Sequence, residues 1–80
     1  MDRSKIIEAL NGIFTDVIDN DNIVLNNETK AADVNGWDSL THIQLVVAIE
    51  KQFKIRFTSK EIQGWKNVGE LVNNIEAKIV

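Results

Sequence analysis

The sequence predicts an all-α fold, a small four-helix bundle with a long loop between helices 1 and 2 and a short third helix. Apolar residues recur three and four positions apart in the segments 6–18, 40–53 and 68–79, which gathers them on one face of an α-helix. Thr58 with Glu61, and Asn67 with Glu70, are paired three apart as in capping boxes, marking two late helix starts. Between the first two apolar segments, 19–35 is rich in Asn and Asp, whose side chains bond nearby backbone and favour turns. A chain of 80 residues makes one domain, 1–80, and buries only about 60–65% of its unfolded surface.

The first helix is expected from about residue 3 to residue 18. Ile6, Ile7, Leu10, Ile13, Phe14, Val17 and Ile18 form its buried stripe, and Asp2 or Ser4 can cap it. Gly12 inside it costs up to about 1 kcal/mol relative to Ala and reads as a tolerated weakness. In the loop, Ile23, Val24, Leu25, Ala31, Ala32 and Val34 are expected to tie the chain down, with one helical turn over Thr29–Ala32. Asp19 and Asp21 suggest a calcium loop. Counting from Asp19, however, puts Ile23, Val24 and Lys30 where an oxygen ligand, a glycine and a bidentate glutamate are required, so no metal is expected. Asn27-Glu28-Thr29 matches a glycosylation triplet, but no secretory signal precedes it.

The second helix is expected over 39–54. Asp38 or Ser39 can cap it, and Leu40 to Phe53 contains neither Gly nor Pro. At 100° per residue its apolar side chains fall into two groups. Leu45, Val46, Ile49 and Phe53 share an arc of about 100°, whereas Leu40, Ile43 and Val47 share another of about 60°. One arc packs inward and the other is available for a partner; spacing alone also allows both to be core. Thr58 and Glu61 then open a third helix ending near Gly64, with Ile62 and Trp65 inward beside Phe57. The fourth begins at Asn67, with Val68, Leu71, Val72, Ile75 and Ile79 as its stripe.

Composition excludes several functions. Without cysteine there is no disulfide, thiolate metal site or cysteine nucleophile. Nine bases against twelve acids give a net charge of −3, without the basic stripe of a nucleic-acid binder. No signal peptide or membrane span is evident, so the cytoplasm is the expected location. Asp38, Ser39 and His42 superficially suggest a hydrolase. Yet Asp38 and His42 flank Ser39 in sequence, no glycine-rich turn follows, and Gly-x-Ser-x-Gly is not matched; the chain is not expected to be an enzyme.

Gly36-Trp37-Asp38-Ser39-Leu40-Thr41 is the most informative stretch. Ser39 stands at a helix N-terminus, where unpaired N–H groups and the helix dipole favour an attached anion. Asp38-Ser39-Leu40, followed by an uninterrupted apolar helix and two short capped helices, resembles the signature of the acyl carrier protein family, and the resemblance covers nearly the whole chain. It implies that Ser39 carries a 4′-phosphopantetheine arm, derived from coenzyme A, whose thiol holds acyl groups as thioesters. Asp38 would serve transferase recognition or capping. By the same resemblance the partners are a phosphopantetheinyl transferase and acyl-loading and acyl-transferring enzymes. Leu40, Ile43 and Val47 would bind them, and an acyl chain would enter between helices 2 and 3 near Leu45, Ile49, Phe57, Ile62 and Trp65. For those five residues ordinary core packing competes with a pocket.

In the family's fatty-acid synthesis members the second helix is usually acidic. Here it shows Thr41, Gln44, Lys51 and Gln52, with Glu50 its only acid after Asp38, which points to a specialised pathway with its own partners. Cargo classes from fatty acyl and polyketide to amino-acyl are all compatible. With no linker at either end, a free-standing monomer is expected. The alternative is a helical interaction module without a prosthetic group, binding one partner through Leu40, Ile43 and Val47.

Overall fold

The computed structural model describes residues 2–19 and 23–79, and these form helices and loops without a strand: α1 (Arg3–Ile18), a single 3-10 turn (Ala31–Asp33), α2 (Ser39–Phe53), α3 (Ser59–Gly64) and α4 (Val68–Ile79). The four-helix expectation holds, including the short third helix. Asp21 of the calcium-loop reading lies outside the described residues.

α1 starts where the Asp2 carboxylate accepts the Lys5 N–H at 2.9 Å. It ends at Asp19, which adopts a left-handed conformation with φ 59° and returns its N–H to the Thr15 carbonyl. Its stripe buries Ile6, Leu10, Ile13 and Phe14, and α1 packs against both α2 and α4. Leu45 and Ile49 of α2 complete one core with Val68, Leu71, Val72 and Ile75 of α4. A side chain at Gly12 would meet nothing within 4 Å, so this glycine is the tolerated weakness expected rather than a close-packing device.

The loop after α1 is held by bonds that periodicity does not reveal. Asn11 on α1 donates from Nδ2 to the Ile23 carbonyl at 3.0 Å and accepts the Leu25 N–H at 2.8 Å. That clasp turns Ile23 and Leu25 inward, and Val34 is buried with them. Val24 points outward at 79% exposure, and Ala31 and Ala32 are also exposed, so these three do not tie the loop down. Alternation explains Val24, because successive side chains of an extended segment point to opposite faces. The loop also completes α4. The Thr29 and Asn27 carbonyls accept the Val68 and Gly69 N–H groups at 2.8 and 2.9 Å, satisfying donors that a helix start leaves open. Thr29 is thereby pinned and buried, its hydroxyl accepting the Asn26 N–H. The helical turn accordingly begins two residues later than the sequence suggested.

Arg3 fastens the start of α1 to α4, donating to Asn73 and Glu76, and reaches Asn27 in the loop. The Thr58–Glu61 capping box is present. At α4 the pairing is displaced by one residue: Asn67 accepts the Glu70 N–H at 2.9 Å, while the Glu70 carboxylate accepts from Lys66 N. Phe53 packs against the core as its arc requires but is only half-buried, one residue before Lys54 ends the helix at φ 58°.

Glu61 also joins α3 to α4. Its carboxylate accepts the Thr58 N–H and the Asn74 amide and pairs with Lys78 at 3.1 Å, which together hold its pKa at about 2 instead of 4.5. A carboxyl whose folded pKa is lowered adds stability above its ordinary value and loses that contribution as pH falls through the folded value. Thermal melts between pH 5 and 2 should therefore show declining stability, and Glu61→Gln should flatten that decline. An identical pH profile for the variant would show that the Glu61 contacts are without energetic consequence.

Candidate functional site

The start of α2 is set by two backbone devices. Gly36 sits at φ +96°, and a Cβ there would lie 2.8 Å from Ile18 Cγ2. Only glycine allows both this conformation and this approach to the end of α1. Asp38, in extended conformation, is the cap: its carboxylate accepts the Thr41 N–H at 3.0 Å, and the Thr41 hydroxyl oxygen accepts the Asp38 N–H at 2.8 Å. The Thr41 hydroxyl donates onward to the Gly36 carbonyl at 2.8 Å, locking the turn that precedes the helix. The Thr41 N–H bond holds the Asp38 carboxyl below its ordinary value, so it is charged at neutral pH.

Capping therefore falls to Asp38 and not to Ser39. Ser39 is the first residue of α2 and is exposed, and its hydroxyl makes no hydrogen bond among the described residues. The Asp38 carboxylate occupies the Thr41 N–H and the Asp38 carbonyl the His42 N–H. A group attached at Ser39 therefore stands beside that carboxylate, with the helix dipole and the N–H groups of Ser39 and Leu40 as its electrostatic attraction.

Behind the serine runs a line of rings. Trp37 meets Phe14 of α1 edge-on, with centroids 4.9 Å apart, and stacks on His42 at 6.1 Å. His42 meets Trp65 at 5.8 Å, and Trp65 meets Phe57 at 4.8 Å. Trp37 Nε1 donates to His42 Nδ1 at 3.1 Å, and His42 Nε2 lies 3.2 Å from the Ile62 carbonyl oxygen. With Nδ1 accepting the indole N–H, Nε2 is the nitrogen placed to donate to that carbonyl. His42 is half-buried, a boundary residue of α2 that joins the 36–37 turn to α3. Both of its nitrogens are committed, so neither remains for Ser39, and no Ser–His couple exists.

The residues of the two α2 arcs part clearly. Leu45, Val46 and Ile49 are 2%, 6% and 1% exposed, against 67%, 62% and 45% for Leu40, Ile43 and Val47. Of the residues considered for an acyl pocket, Leu45 and Ile49 lie in the closed core, while Phe57, Ile62 and Trp65 are half-buried at its edge. Trp65 does line a cavity with Trp37, His42, Ala31, Lys66, Asn67 and Leu71. Its volume is about 80 Å³, well below the ~300–1,000 Å³ of ordinary ligand sites.

This geometry coincides with a family match. Residues 8–75 fit the model of the phosphopantetheine attachment site. The chain belongs to the acyl carrier protein family. The acyl carrier protein of Clostridium acetobutylicum is 31% identical over 72 residues, spanning 90% of this chain and 94% of that protein. That of Thermotoga maritima is 27% identical over 77 residues, spanning 96% and 95%. The solution structure of a holo acyl carrier protein from Geobacter metallireducens superposes with a TM-score of 0.85 at 45% identity, covering 91% of this chain and 84% of that one. The chain is thus a carrier of acyl groups on 4′-phosphopantetheine rather than a catalyst. Its exposed, unbonded serine at a capped helix start suits such an arm, since attachment there removes no structural bond. The bound arm supplies a terminal thiol on which acyl groups are held as thioesters.

Proposed function

We propose that Ser39 is the attachment point of the arm, and that the domain presents cytoplasmic acyl intermediates, as a monomer, to biosynthetic enzymes. The observation that carries this reading is the division of labour at the start of α2: Asp38 caps, Thr41 locks the turn, and the Ser39 hydroxyl is left accessible. Reaction with coenzyme A and a phosphopantetheinyl transferase should add one arm, located by peptide mapping on the peptide containing Ser39. An arm found on another residue would refute the assignment.

Asp38 has a second part in this reading. Its carboxylate is ionised, exposed and adjacent to the acceptor, and so offers an ion pair to a basic surface on the transferase. Asp38→Asn should retain a capping side chain yet be modified more slowly and with weaker salt dependence. Matching rates for both proteins across a salt series would leave Asp38 as a cap only.

Leu40, Ile43 and Val47 form the surface offered to partner enzymes, starting beside the arm at Leu40 and running about two turns along α2. Phe57, Ile62 and Trp65 edge the route by which an acyl chain would reach Leu45 and Ile49. Because those two are closed off in the core, admission of cargo requires α3 to move away from α2. α3 is the shortest of the four helices, six residues long, which suits it to that movement. An acyl chain docked this way should shift the indole resonance of Trp65.

A further inference from the structure

The charges on α2 and the link after it are not distributed like those of the rest of the chain. Residues 39–58 contain three bases, Lys51, Lys54 and Arg56, and one acid, Glu50, in a protein of net charge −3. Glu50 is turned to internal use, its carboxylate accepting the Phe57 N–H at 2.8 Å. The ion pairs among the described residues are Arg3–Glu76 and Lys78–Glu61, so none engages the three bases.

Their position relative to the exposed apolar stripe is specific. At 100° per residue, Lys51 and Lys54 fall within the same arc of about 80° as Leu40, Ile43 and Val47. One face of α2 therefore runs from Leu40, beside Ser39, through Ile43 and Val47 to Lys51 and Lys54, about 17 and about 21 Å along the axis from Leu40. Beyond the helix end, Arg56 joins them: Val47, Glu50, Lys51, Lys54, Ile55 and Arg56 line one open depression of about 540 Å³.

Resting on the carrier reading above, we propose that this face is a single docking surface for a partner enzyme whose contact face is an apolar ridge with carboxylates at one end. Apolar burial supplies the contact near the arm, and the basic end fixes direction, because a partner docked the other way round would place its carboxylates on Leu40 and Ile43 and leave both sides unpaired. Two other anionic surfaces fit less well. A nucleic-acid backbone would cover the three apolar residues without burying them against anything apolar. A membrane-bound helix carries its bases along the polar flank of an apolar face, whereas here they continue the face itself, and the opposite side of α2 is the protein core.

The test uses the intact isotope-labelled protein and two helical peptides, each with a leucine stripe, one flanked by Glu and its sister by Lys. Vesicles of equimolar phosphatidylcholine and phosphatidylglycerol are the third probe. The Glu peptide should bind at least about tenfold more tightly than the Lys peptide. It should shift resonances of Leu40, Ile43, Val47, Lys51 and Arg56, and weaken as salt is raised from about 0.05 to about 0.5 M. Arg56→Glu lies outside the helices and should reduce that affinity without unfolding the protein; Lys51→Gln/Arg56→Gln should do so without charge reversal. Equal affinity for both peptides, no binding of either, shifts centred elsewhere, or vesicle binding at these residues in preference to the Glu peptide would overturn the proposal. Arm attachment, read by mass on the same sample, is scored separately. Its failure sinks the carrier reading, whereas loss of peptide preference sinks only this one.

Discussion

Phe14→Ala should destabilise the domain by about 3–5 kcal/mol, as expected when a fully buried aromatic is removed and a cavity remains. Phe14 is 0% exposed at the centre of the core. It also supports the functional end of the molecule, through its edge-on contact with Trp37. An 80-residue chain has only about 4–12 kcal/mol of stability in total, so the variant should be largely unfolded or melt at much lower temperature. Val47→Asp is the informative contrast. Val47 is exposed on the other arc of α2, and the change should cost less than about 1 kcal/mol of folding stability. It should nevertheless weaken cargo transfer, because an unpaired charge would have to be desolvated within an apolar contact. Circular-dichroism melts of both variants, with a cargo-loading assay on Val47→Asp, decide between core and docking face. If Val47→Asp melts as readily as Phe14→Ala, the stripe is structural and its assignment to partners fails.

Local chemistry was legible in the sequence and long-range chemistry was not. The 3.6-residue period placed α1 over 3–18, and three-apart polar pairs marked the start of α3. The two-arc division of α2 anticipated which side chains are buried, because helical geometry fixes relative direction without knowledge of neighbours. Phe53 exceeded what that geometry can decide, since how deeply an inward residue sits depends on whether another element covers it. The same limit explains Val24, Ala31 and Ala32, whose apolar character promised burial although the Asn11 clasp selects Ile23 and Leu25. The loop carbonyls that complete α4, and the Trp37–His42–Ile62 connection, join residues distant in sequence. Neither leaves a periodic signal. Of the aromatic line behind Ser39, the sequence showed Trp65 beside Phe57, a contact present at 4.8 Å, but not its continuation through His42 and Trp37 to Phe14.

At the site, sequence left the cap ambiguous between Asp38 and Ser39, because both residue types accept from a helix's first N–H groups. Geometry resolves this in favour of Asp38, and the resolution has consequences for function. Were Ser39 the cap, attaching an arm would sacrifice a structural bond, and loading would weaken the fold. With Asp38 as cap, loading and stability are independent. Ser39→Ala should then lose the arm completely while leaving the melting temperature nearly unchanged, well short of the ~0.5–2 kcal/mol expected for loss of a helix cap.

The most direct measurement is therefore intact mass with peptide mapping on the wild-type protein and Ser39→Ala, side by side, after incubation with coenzyme A and a phosphopantetheinyl transferase. The account predicts one added arm on the Ser39 peptide of the wild type and none on the variant, whose circular-dichroism melt overlays that of the unmodified wild type. An alanine variant that still gains the arm, or a wild type that gains none, would contradict it.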